Sequence, residues 1–181
     1  MTPPPRPQTG QPEAPVTPGR PSDSGIEMNE LVLPTHTNAL GTIFGGQIMA
    51  WIDVAAAMAA MRHARRQCVT ASMDALDFIA PVRLGDLVNL KAMVNYVGRT
   101  SLEVGVRVEA EDPRTGHREH AASAYLTFVA IDPEGRPVPV RPLEPSTPGE
   151  RLRYDEALAR RQQRLALASE RSRLRAEHHG P

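Results

Sequence analysis

Apolar positions along this chain repeat in two rhythms, and each change of rhythm marks a change of element. Between Gly46 and about Ala64 almost every position is apolar or small. Ile48, Met49, Trp51, Ile52 and Val54 lead into the unbroken run Ala55–Met61. The stretch is too long for one buried strand and reads as a helix, and a helix apolar all round is expected to be buried all round. Arg62, His63, Arg65 and Arg66 close it with the charge that a helix C-terminus favours. Elsewhere the apolar period is two. Met28 to Leu33 reads as a short strand ended by Pro34, and Val69 to Phe78 as a second, stopped by Pro81. Leu87 to Val97 places Val88, Leu90, Ala92, Val94 and Tyr96 on one face. Leu102 to Ala110 does the same with Leu102, Val104, Val106 and Val108, and His117 to Ile131 with Ala122, Ala124, Leu126, Phe128 and Ala130. Strand side chains alternate between faces, so each run has one greasy side. Arg83–Asp86, Gly98-Arg99 and Asp112–Gly116 carry turn residues, and Asp132–Gly135 ends the last strand.

The predicted order is strand, loop, one long helix and four antiparallel strands. This is an α+β layer arrangement, one sheet wrapped around one buried helix. From Gly149 to about Arg175 the chain is rich in Ala, Leu, Arg, Gln and Glu. That favours a further helix. Its thin apolar stripe of Leu158, Leu165 and Ala168 predicts a surface position. Residues 1–25 hold eight prolines and hardly a large apolar side chain. Such a segment buries too little to offset its ordering entropy, and a disordered tail is expected. The domain is expected over 26–142, with a connector and C-terminal helix over 143–181.

Composition excludes more than it suggests. The 21 Lys and Arg balance the 21 Asp and Glu, so no net basic field recruits nucleic acid or an anionic membrane. The one cysteine, Cys68, rules out an intramolecular disulfide and fits a reducing, cytoplasmic setting. Nothing in the local sequence activates it. The N-terminal segment has no apolar core of a secretory signal. The apolar run Ile48 to Met61 is too short to span a bilayer and carries Asp53 midway. His117 and His120, three apart on a strand, point to opposite faces and cannot share a metal. No phosphate-binding loop, dinucleotide fingerprint, nucleophile elbow or zinc spacing is present.

Asp53 is the first chemical candidate. Met49, Ala50, Ala56 and Ala57 lie one turn away, so its own helix supplies no partner. A carboxylate placed there needs donors from elsewhere. It is either half of a structural ion pair, a group opening to solvent at a subunit seam, or a reacting group, and residue physics alone does not choose among these. Gly45-Gly46 is the second candidate. Bare amides at a helix start can polarise a carbonyl oxygen, although a Gly-Gly pair alone more often marks a tight turn.

The run Thr37-Asn38-Ala39-Leu40-Gly41-Thr42-Ile43-Phe44-Gly45-Gly46-Gln47-Ile48-Met49-Ala50-Trp51-Ile52-Asp53 resembles the signature of hotdog-fold acyl-CoA thioesterases, in particular the bacterial YciA type and the brain cytosolic acyl-CoA hydrolases. The likeness continues through Val69-Thr70-Ala71-Ser72, Phe78-Ile79-Ala80-Pro81-Val82, Gly85-Asp86, Val97-Gly98-Arg99-Thr100-Ser101 and Ala124–Val129. It reaches weakly into Tyr154, Ala157, Arg160 and Arg161. The resemblance implies a single hotdog domain that hydrolyses acyl-CoA to a carboxylic acid and CoA. It needs no metal or organic cofactor, CoA being part of the substrate. Asp53 is then the general base or the nucleophile, and Asn38 positions water or thioester from the opposite subunit. Gly45 and Gly46 are the backbone donors to the thioester carbonyl, and Thr70 lies near the reacting centre. Arg99, Thr100 and Ser101 are implied to meet the CoA arm, and Arg160 and Arg161 its 3′-phosphate. A solvated helix face explains those two arginines equally well. A dimer with a continuous sheet, assembled as a trimer of dimers into a hexamer, is also implied. Two alternatives stay open: a non-catalytic acyl-CoA-binding module on the same fold, and a hotdog enoyl-CoA hydratase. The hydratase reading would draw on Asn38 and His36.

Overall fold

The structure, a computed structural model, describes residues 17–178. Among the described residues five strands form one antiparallel sheet: β1 Ile26–Leu31, β2 Gln67–Phe78, β3 Leu87–Val97, β4 Ser101–Asp112 and β5 His117–Ile131. The spatial order is β1-β3-β4-β5-β2, which leaves β1 and β2 as its two edges. Helix α1, Gly45–Ala64, lies across one face. Helix α2, Pro148–His178, follows a long connector.

Alternation builds the core as expected. Val88, Leu90 and Val94 of β3, Val104 and Val108 of β4, and Ala122 through Ala130 at every second residue of β5 are sealed against α1. From the helix come Ile48, Trp51, Ile52, Ala55, Ala56, Ala59 and Ala60. The alanines keep the helix close to the sheet. At the helix end His63 is buried, with Nε2 3.1 Å from the Arg141 carbonyl oxygen. Burial holds this imidazole below its ordinary pKa of 6.5.

Three expectations need correction. Helix α1 is not buried all round: Met49, Val54 and Met61 are 43%, 51% and 40% exposed. One sheet covers only half of a helical cylinder, so the opposite stripe stays open in a single chain. Tyr96 does not share a face with Val94. A bulge between Val94 and Tyr96 inserts Asn95 and inverts the alternation. Tyr96 therefore turns to the outer side and meets the Tyr154 ring of α2 at 5.2 Å. The described end of the expected tail is ordered. Gly19 bridges Leu143, and Pro21–Ser24 forms a 3-10 turn with Pro21 and Ser24 buried. Ser24 Oγ accepts from the Val94 amide at 2.9 Å, which ties this segment to the sheet. Residues 1–16 of that tail lie outside the described residues.

Among the described residues, no helix is long and apolar enough to cross a membrane.

Candidate active site

Asp53 stands on the open stripe of α1, half exposed, two turns after the helix start. Its partner comes from the edge strand. Thr70 of β2 pairs with Phe128, whose side chain is buried under α1, so Thr70 faces the helix. Its hydroxyl donates to Asp53 Oδ1 at 2.7 Å. The β-bulge just after Thr70, between Thr70 and Ser72, alters the local course of the strand beside this contact. Among the described residues no arginine, lysine or histidine pairs with Asp53. Thr70 thus orients the first oxygen of the carboxylate.

The loop before α1 is closed on itself. Thr37 bridges Ile43, and the Asn38 amide donates to the Thr42 carbonyl at 2.9 Å. Asn38 Oδ1 accepts from the Leu40 amide at 2.9 Å, and its Nδ2 donates to Thr42 Oγ1 at 3.0 Å. Gly41 takes φ +74° at the tip, a conformation in which a side chain would be strained. Within one chain Asn38 and Asp53 form no hydrogen bond; Asn38 is spent on its own loop. His36 is engaged structurally. Its Nδ1 accepts from the Leu33 amide at 3.2 Å, and its ring meets Trp51 edge-on at 5.1 Å.

Gly45 and Gly46 form the first turn of α1, where helix amides have no intrahelical acceptor. The first amides that turn back are those of Gln47 and Ile48, both onto the Phe44 carbonyl. A Cβ on Gly46 would lie 2.4 Å from the Phe44 ring, so the exposed ring would have to swing aside to admit a side chain. A cavity of about 370 Å³ adjoins Gly45, lined by Ile43, Ile48, Phe78, Ile79 and Val82. A larger one of about 660 Å³ lies away from Asp53, on the sheet face turned from α1, and includes Asn95, Gly105, Tyr125 and Arg153.

The Gly98–Ser101 turn is closed by the Gly98 amide on the Ser101 carbonyl at 2.7 Å. Arg99 is exposed, and Thr100 and Ser101 are half-buried. Arg161 of α2 comes to this turn, its Nε 3.9 Å from the point a Gly98 Cβ would occupy and its guanidinium 5.8 Å from the Tyr96 ring. Arg160, expected beside it as a phosphate ligand, is committed elsewhere. Its Nη2 donates to Glu103 Oε1 at 2.7 Å, and its guanidinium covers the Tyr125 ring at 3.6 Å. Helix periodicity explains the split, because neighbours on a helix point about 100° apart. Sequence reasoning passed over Glu103. A lone acidic residue on a strand's outer face looks solvated unless the cations above it are known.

Burial pushes the Cys68 thiol up to about 11, away from reactivity. Among the described residues no group of three or more His, Cys, Asp or Glu could hold a metal ion.

The family model described as thioesterase superfamily matches residues 40–117, which include the glycine pair, Asp53 and Thr70. The uncharacterized acyl-CoA thioester hydrolase YkhA of Bacillus subtilis is 44% identical over 142 residues, 78% of this chain and 83% of that protein. The chain belongs to the hotdog-fold acyl-CoA thioesterases. Two solved members of this family lie close to it. The acyl-CoA hydrolase of Staphylococcus aureus, in complex with butyryl coenzyme A, coenzyme A and coenzyme A disulfide, is 39% identical with TM-score 0.83. It covers 91% of this thioesterase and 100% of its own chain. An apo-hexameric acyl-CoA thioesterase is 42% identical with TM-score 0.82, covering 84% of this chain and 98% of that one. Structures of the Staphylococcus protein also exist with an asparagine, an aspartate and a threonine each replaced by alanine. Their TM-scores are 0.82, 0.81 and 0.79. Those three residues are spaced along that chain as Asn38, Asp53 and Thr70 are here, 15 residues and then 17.

Proposed function

We propose that this protein hydrolyses acyl-CoA thioesters to a carboxylic acid and CoA, with Asp53 as general base for the attacking water or as nucleophile on the acyl carbon. The carrying observation is the Thr70 hydroxyl bound to Asp53 Oδ1 at 2.7 Å on the uncovered stripe of α1. Held this way, the carboxylate either takes a proton from an attacking water or attacks the carbonyl itself, as general base or nucleophile. Gly45 and Gly46 present helix-start amides to the oxygen that becomes negative in the tetrahedral intermediate. The apolar cavity beside Gly45 suits the acyl chain. Arg99, Thr100, Ser101 and Arg161 receive the CoA arm, and Arg160 acts as an anchor for α2. The asparagine, aspartate and threonine probed in the Staphylococcus hydrolase, at matching spacing, support roles for Asn38, Asp53 and Thr70.

By resemblance to the family, the Asn38 that meets a thioester at Asp53 comes from a second copy, and within one chain Asn38 is bonded to its own loop. The exposed α1 stripe and the unpaired outer side of β2, with Val69 and Phe78 about half exposed, suit pairing of two chains into one sheet. The hexameric relative supports assembly of three such dimers. The single cysteine, which allows no intramolecular disulfide, fits the reducing cytoplasm as the working compartment.

The test is Asp53→Asn assayed on short, medium, long and aromatic acyl-CoAs. Turnover is expected to fall by about 10²–10⁴-fold with circular dichroism unchanged, the range that positioned acid–base groups supply. Undiminished turnover would remove Asp53 from the reaction. Single-turnover hydrolysis in heavy-oxygen water separates the two roles, because only a nucleophilic Asp53 carries label into its own carboxylate.

A further inference from the structure

Glu103 lies on the outer face of β4, and its side chain has no exposure to solvent. Arg160 grips it with a forked guanidinium, Nη2 to Oε1 at 2.7 Å and Nε to Oε2 at 3.4 Å. One helical turn later Arg164 reaches Glu103 Oε2 at 3.4 Å and also donates to Asp74. Asp74 is the inserted residue of the second β2 bulge, between Met73 and Ala75. Tyr125 of β5 supplies the ring beneath Arg160. A single buried carboxylate thus joins β4, β5 and, through Arg164, β2 to one row of α2.

A buried ion pair adds little net stability over a packed apolar pair, because desolvation opposes its attraction, but its geometry is strict. A forked guanidinium on a carboxylate tolerates little sliding or rotation. With Arg160 and Arg164 fixed on one row, the azimuth and the axial register of α2 are fixed too. Arg161 follows Arg160 by about 100° and about 1.5 Å, which carries it off the Glu103 row and onto the Gly98–Ser101 turn.

We propose that Glu103 is a positioning residue for coenzyme A recognition: by holding Arg160 and Arg164 it sets the register of α2 that keeps Arg161 at the Gly98–Ser101 turn, where the phosphate end of CoA binds. The inference rests on the thioesterase reading above. It assigns Glu103 to the nucleotide end of the substrate and separates it from the reacting thioester.

Two substrates with the same acyl group test it, an acyl-CoA and the corresponding acyl-pantetheine, which keeps the thioester and lacks the nucleotide. For Glu103→Gln, KM for the acyl-CoA is expected to rise about tenfold with kcat held, the loss of roughly one charge-assisted contact. KM for acyl-pantetheine is expected to stay put. Adding Glu103→Gln to Arg161→Ala should bring no further rise, since both act through one contact. An equal change on both substrates, or a full additive rise in the double variant, overturns the proposal and leaves Glu103 a structural residue. If Glu103→Gln does not fold, Arg160→Lys, which keeps the charge and loses the fork, is put through the same comparison: a rise confined to the acyl-CoA supports the proposal, and an equal rise on both substrates overturns it. Wild-type protein that cleaves neither thioester would refute the hydrolase reading itself, an outcome distinct from either.

Discussion

Helix α1 meets the inner face of the sheet through Ile48, Ile52 and four fully buried alanines, with Asp53 touching the sheet at its β2 edge, on Thr70. Helix α2 meets the outer face through Tyr154, Ala157, Arg160 and Arg164, and begins on a buried carboxylate. Dispersion and water release hold the first, and neither specifies rotation closely. Directional bonds hold the second and specify little else. On the function proposed above, the reacting carboxylate sits on the helix with the greater burial. On the same proposal, the substrate's charged end meets the helix that is anchored by ion pairs. The fold thus divides rigid support from positional accuracy between its two faces.

The largest effect on stability should come from breaking the apolar side of this contrast. Ile52 is wholly buried between α1 and the sheet. Ile52→Ala is expected to cost about 2–5 kcal/mol in denaturant unfolding, the loss of its methyl groups plus the cavity left behind. A cost below about 1 kcal/mol would mean that the core collapses around the gap and that α1 is held some other way.

The polar side is sharpened by Glu150. Burial alone would push its carboxyl up, but it accepts from the Ser146, Thr147 and Ser22 amides and the Ser146 hydroxyl, which together hold it at about 2. Its ordinary value is 4.5. A depressed carboxyl contributes stability that is fully present above the unfolded pKa, and that contribution fades as pH falls from about 4.5 through about 2. Only a thin layer of protein covers Glu150, so nearby water screens part of this, and Glu150→Gln is expected to cost about 1–2 kcal/mol at neutral pH. Wild type and variant should converge in thermal unfolding only as the pH falls to about 2 and below. Parallel curves over the whole acid range would show that the bonds to Glu150 do not distinguish folded from unfolded chain.

The smallest effect tests where α2 stops depending on the sheet. Leu165 lies one residue past Arg164 and is 54% exposed. Leu165→Ser should change stability by less than about 0.5 kcal/mol, as surface substitutions do. A larger loss would place Leu165 against another surface in the assembled protein.

The helix and strands are legible because each has a long, unambiguous period. Leu87–Val97 and His117–Ile131 are read to the residue. The glycine pair and Asp53 can be found because they interrupt an apolar pattern. Thr70 is placed by resemblance alone, since a threonine in a strand carries no mark of the carboxylate it will meet 17 residues away. Tyr96 falls on the wrong face because an inserted residue leaves no trace in a local alternation. The Thr147-Pro148-Gly149-Glu150 start of α2 is a readable capping box, with the Glu150 amide donating to Thr147 Oγ1 at 3.2 Å and the Thr147 amide to Glu150 Oε2 at 3.0 Å. The Arg160–Glu103 pair, 57 residues apart, needs the fold itself.

The two margins of the sheet are unequal, six residues along β1 and twelve along β2. A ribbon of this shape zips to a copy of itself most firmly along its long margin. That join consumes the long margin of both copies at once. What remains outside is a short strip carrying Glu27 and Glu30, too brief and too acidic to template another chain. In the dimer proposed above, side-by-side growth of this ribbon would close at two members instead of running on as a fibre.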